Sequence, residues 1–107
     1  NNFKEINNGM NKNVSLPTEA QWEKVAKGGK NFIYPWGNKF EINNVNIANT
    51  YNDTIPVDNL DNGKSVDGIY NLAGNVWEWC EDDFVDDFYK RADKNNPVAK
   101  ENSEIKV

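Results

Sequence analysis

The sequence predicts a small α+β chain with little regular secondary structure, held together mainly by aromatic side chains. One segment alone, residues 14–29, carries a full set of helix signals. Residues 30–66 show no helical period and are broken by turn-forming runs. Hydrophobic residues make up only 37% of the chain, yet they include four Trp, four Tyr and five Phe. Large rings cover much area per residue, which suits an irregular fold. Asparagine supplies 20 of the 107 residues, and it forms turns better than helices.

The elements follow in chain order. Phe3, Ile6 and Met10 lie at helical spacing before the stop signal Asn8-Gly9, as the tail of a helix or a frayed terminus would. Thr18 and Gln21 form a capping box behind Pro17, with the hydroxyl capping an N–H and the amide reaching back. Glu19 and Glu23 sit toward the positive end of the helix dipole, and Lys24 and Lys27 toward the negative end. Trp22, Val25 and Ala26 make the apolar stripe, and Gly28-Gly29 stops a helix of about ten residues. Tyr34-Pro35-Trp36-Gly37-Asn38 is a turn flanked by aromatics, and Asp61-Asn62-Gly63 is another. Brief strands are expected at Val45–Ala48, at the alternating run Val76–Cys80 and at Glu104–Val107. Trp22, Trp36, Trp77 and Trp79 are expected in the core, with the two last on one side of a strand and Glu78 on the other. Glu81, Asp82, Asp83, Asp86 and Asp87 are expected to form a solvated acidic face, with cation binding as the sharper alternative.

Composition removes several functions. The net charge of −5, from 12 basic and 17 acidic residues, opposes a nucleic-acid interface. No apolar run approaches the ~20 residues of a membrane span. Without histidine there is no imidazole acid–base chemistry and no histidine metal site. A single cysteine excludes an internal disulfide and a cysteine-built zinc site. Cys80 is surrounded in sequence by Glu78, Glu81, Asp82 and Asp83, which raise a thiol's pKa, so it reads as an inert thiol.

The run Asn71 to Glu78 carries the most chemistry. Calcium takes six to eight hard oxygen ligands from carboxylates, amides and backbone carbonyls. A tight turn at Gly74 would bring the Asn71 side chain, two backbone carbonyls and the Glu78 carboxylate toward one point. Spacing alone also allows Asn71 and Asn75 to serve the turn backbone while Glu78 is solvated.

Three segments in order, Leu16-Pro17-Thr18-Glu19-Ala20-Gln21-Trp22-Glu23, Tyr34-Pro35-Trp36-Gly37-Asn38 and Tyr70-Asn71-Leu72-Ala73-Gly74-Asn75-Val76-Trp77-Glu78-Trp79, resemble the formylglycine-generating enzyme family, also called sulfatase-modifying factors. The resemblance runs from about residue 3 to 107. It implies an irregular variant of the C-type lectin fold. It also implies that residues 1–107 are a single partial domain, the middle portion of the family's fold, so that an oligomer or a missing segment is expected to complete it. It implies a calcium site from the Asn71 side chain, the Gly74 and Val76 carbonyls and the Glu78 carboxylate. A second calcium site is implied at Asn46 and Ile47, with Asn49 and Tyr51 near its other half and Asp53 as a substitute ligand.

Two functions are therefore expected. The first is a calcium-stabilised module that binds a small ligand or a protein, with no catalytic residue in this segment. The second is part of an oxidase that converts a sulfatase cysteine to formylglycine with oxygen and copper. The resemblance places that reaction's two cysteines outside these residues, in the C-terminal part, and copper is expected only with them. A calcium-dependent member of such a family leans toward an exported protein.

Overall fold

Thr18 opens the first element as its sequence predicts. In the computed structural model, which describes residues 14–48 and 50–107, the Thr18 hydroxyl accepts from the Gln21 N–H at 3.2 Å and the Gln21 side chain accepts from the Thr18 N–H at 3.1 Å. Helix α1 spans Glu19–Ala26, eight residues against an expected ten. Lys27 caps its C-terminus, and Gly28 and Gly29 follow at φ of 60° and 61°, where a Cβ is strained. The expected helical tail at Phe3, Ile6 and Met10, and Asn49 of the second calcium loop, lie outside the described residues.

Beyond α1 the chain is loops pinned by turns. Tyr34 and Gly37 exchange both backbone hydrogen bonds, at 2.9 and 3.0 Å, and the Tyr34 and Trp36 rings stack at 5.3 Å. Single 3-10 turns occur at Ile42–Asn44 and Asp61–Gly63. They meet so closely that a Cβ on Gly63 would overlap the Asn44 carbonyl oxygen. A second helix, α2, occupies Phe88–Arg91 and has no counterpart among the expected elements. Among the described residues, seven other than glycine have positive φ, and six of them are asparagines: Asn31, Asn52, Asn71, Asn75, Asn96 and Asn102. That is the physical use of the asparagine-rich composition, because Asn tolerates the left-handed region.

The expected strands do not form. Among the described residues there are only isolated bridges: Asn46 with Gly74 in parallel, Asp83 with Lys106 antiparallel, and the Tyr34–Gly37 turn. The α+β expectation is not confirmed: the described residues form a few short helices and many loops, and even where Cys80–Phe84 exchanges backbone bonds with Ile105–Val107 the pairing amounts to one isolated bridge.

The core differs from expectation too. Its buried apolar members are Val45, Leu72, Cys80 and Ala99. Trp22 and Trp36 are half-buried, whereas Trp77 is 102% exposed and Trp79 67%. The run 77–79 pairs with no strand among the described residues, and both indoles extend into solvent. The acidic face is corrected as well. Asp82 is 1% exposed and Asp83 5%, each tying distant backbone into the core.

Candidate functional site

A cavity of about 700 Å³ lies between α1 and the loop 71–78. All six residues expected to hold calcium line it: Asn46, Ile47, Asn71, Gly74, Val76 and Glu78. Glu19 and Trp22 of α1 close it from the helix side, and Cys80 and Val107 from the other.

Gly74 is the hinge of this wall. Its φ is 79°, and a Cβ there would overlap the Asn46 carbonyl oxygen and press on Ile47 and Val45. Asn75 follows at φ 67°, and the Val76 N–H donates back to the Gly74 carbonyl at 3.0 Å. This i to i+2 closure is a classic-sense γ-turn, which is rare and strained. The Asn75 side chain offsets the strain. Its Oδ1 accepts from the Ile55 N–H at 2.9 Å and its Nδ2 donates to the Ile55 carbonyl at 3.1 Å, so one amide pairs a backbone residue as a strand would.

The other ligand candidates are also fixed. Asn71 donates Nδ2 to the Val57 carbonyl at 2.9 Å, which leaves Oδ1 as the acceptor on the opposite side of the amide. Glu78 accepts the Trp22 indole N–H on Oε2 at 2.9 Å, and its second oxygen is not used in that bond. The donor set is therefore an amide oxygen, two backbone carbonyls and a carboxylate. Its chemistry fits calcium, with the balance of six to eight ligands left to water.

The Asn46–Ile47 half is more committed. Asn46 spends both Nδ2 hydrogens, on the Asp53 carbonyl at 2.8 Å and on Asn75 Oδ1 at 3.1 Å. The Ile47 carbonyl accepts from both the N–H and the hydroxyl of Thr50, at 3.0 and 2.5 Å. Both of its lone pairs are thus engaged. A small polar cleft beside it, lined by Asn46, Ala48, Asn52, Asp53 and Asn75, brings the Asp53 substitute next to Asn46.

Asp82 is the residue that sequence reasoning misplaced. Its Oδ2 accepts from the Glu19 N–H at 2.8 Å, and its Oδ1 from the Ala99 N–H at 2.9 Å. A carboxylate at the N-terminus of α1 is favourable to the helix dipole, and here it also anchors the segment 99–107. Asp83 accepts from the Glu101 N–H at 3.0 Å and from the Lys106 ammonium, which together hold its carboxyl below the usual range, the lysine being the larger cause. No sequence signal marked either residue, because every backbone partner is 17 or more positions away.

Cys80 behaves as expected of an inert thiol. Burial pushes it up first, followed by the charges of Asp82, Glu19 and Glu78. Tyr89 donates to Glu19 Oε2 at 2.8 Å, and burial and that bond together raise the phenol strongly.

A helix cap followed by an aromatic turn and a glycine-turned, oxygen-rich loop beside a cavity defines the class: a loop-built scaffold. Residues 4–105 match the sulfatase-modifying factor enzyme 1-like domain, and the chain belongs to that family. It is 40% identical over 80 residues to the formylglycine-generating enzyme of Mus musculus, covering 63% of this chain and 22% of that protein. It is 36% identical over 97 residues to the inactive C-alpha-formylglycine-generating enzyme 2 of Bos taurus, covering 79% and 30%. It is 42% identical over 76 residues to the serine/threonine-protein kinase Pkn1 of Chlamydia trachomatis, covering 70% and 12%. The chain thus spans less than a third of the length of each of these relatives. No helix among the described residues is long and apolar enough to cross a membrane.

Proposed function

We propose that this chain is a calcium-stapled binding module. The observation that supports the reading is that Asn71, Gly74, Val76 and Glu78 all line one cavity. Calcium there would tie the two ends of the loop 71–78 together and supply positive charge beside Glu78; because it binds the folded chain alone, its binding energy would add to folding stability. Asn46 and Asp53 are the oxygen donors for a second, weaker ion, which must first displace Thr50 from the Ile47 carbonyl.

The binding role rests on two further features. The cavity falls within the roughly 300–1,000 Å³ usual for small-molecule sites, and Trp22 gives it an aromatic wall. Cys80, the one cysteine of the chain, is buried with a raised thiol, the opposite of an activated nucleophile.

Calorimetry with calcium and with magnesium tests the reading. Calcium is expected to bind, and magnesium to bind far more weakly, because an irregular carbonyl-rich loop suits calcium's flexible geometry and not a strict octahedron. Glu78→Gln is expected to remove the calcium heat. No calcium heat in the unmodified chain overturns the proposal.

A further inference from the structure

We infer that Trp22 is the positioning residue of the calcium site, acting through Glu78. The inference rests on the calcium reading and assigns a role to the helix that faces it. Trp22 lies 56 residues before Glu78, on α1, and donates its indole N–H to Oε2 at 2.9 Å. Glu78 is an exposed side chain on a segment with no strand partner among the described residues. Left alone, a glutamate in that setting samples many rotamers, and ordering it opposes metal binding. The indole bond removes that freedom in advance and turns one carboxylate oxygen toward the helix. The other oxygen is left for the cavity that Asn71, Gly74 and Val76 also line.

Trp22 is itself held. It is half-buried, its own N–H donates to the Thr18 carbonyl at 2.9 Å within the cap of α1, and the Glu19 N–H at the start of that helix is fixed by the buried Asp82. The position of the carboxylate is thus set by the helix, and the helix by Asp82. An indole is a donor only, so Trp22 cannot be a calcium ligand. Bonds to a ligating carboxylate of this kind typically change metal affinity 10–100-fold when removed.

The test compares the unmodified chain with Trp22→Phe, which keeps a ring on the helix and loses the donor. Calcium titration by calorimetry is expected to show binding about tenfold weaker in the variant. The calcium-free melting temperatures should lie close together. In nitrogen-labelled protein, the indole resonance that Trp22→Phe deletes is expected to move when calcium is added. It should stay still in Glu78→Gln, whose amide oxygen still accepts the indole bond. A general packing role for Trp22 would shift melting without producing that calcium-linked movement. Equal calcium affinity in Trp22→Phe and the unmodified chain overturns the positioning role and leaves the calcium site standing. No calcium binding in the unmodified chain overturns both.

Discussion

A single methyl group at Gly74 is expected to damage this molecule more than most surface changes. The position combines φ of 79° with an Asn46 carbonyl oxygen where the Cβ would stand. Gly74→Ala should therefore cost roughly 1–3 kcal/mol in urea unfolding, with the strain alone accounting for that range. Asp82 is the second such residue. Asp82→Ala leaves the N–H groups of Glu19 and Ala99 without their buried acceptor, and should cost about 3 kcal/mol. By contrast, Trp77→Ala should change stability by less than about 0.5 kcal/mol, since the side chain is fully exposed. These three contrast in a way that sequence could read only at Gly74. Its neighbours Asn71, Asn75 and Glu78 lie within a few positions, so the turn and its oxygens are local. The partners of Asp82 lie 63 and 17 residues away, and nothing near Asp82 in the chain announces them.

At the scale of elements, α1 was legible because its signals are local. The capping box, the dipole charges and the Gly28-Gly29 stop all act within one or two turns. Thr18→Ala removes the cap and should cost about 1 kcal/mol of stability by thermal melting. The strands were not legible in the same way. Val76–Cys80 alternates in sequence as a strand does, but not in burial: Val76, Trp77, Glu78 and Trp79 are all exposed and only Cys80 is buried. Alternation describes one ribbon, and a strand needs a second. Among the described residues the backbone of 77–79 enters no backbone hydrogen bond, so no sheet covers one face of the run. The antiparallel pairing begins only beyond it, where Cys80 donates to the Val107 carbonyl at 2.8 Å and Phe84 to that of Ile105 at 2.8 Å.

For the molecule as a whole, the buried apolar set among the described residues is small: Val45, Leu72, Cys80 and Ala99. Ile33, Val57, Val66, Trp77, Trp79 and Ile105 are all well exposed. A thin core makes the polar fastenings decisive, and they titrate. The Asp83 carboxyl is lowered in the folded chain by the Lys106 hydrogen bond. Its contribution is complete above the unfolded carboxylate range and is lost as pH falls through the lower folded value. Urea midpoints measured from pH 6 downward should fall, and Asp83→Asn should flatten the acid end of that curve.

With so thin a core, the proposed calcium would be a substantial stabiliser. Binding at a hundred times the dissociation constant would add about 2.7 kcal/mol. The most direct measurement is the melting temperature in calcium and in excess chelator, for the unmodified chain and for Glu78→Gln. Calcium held by Glu78 would give a drop of several degrees on chelation in the unmodified chain, and no calcium-dependent difference in Glu78→Gln. Equal melting of the unmodified chain in calcium and in chelator would contradict it.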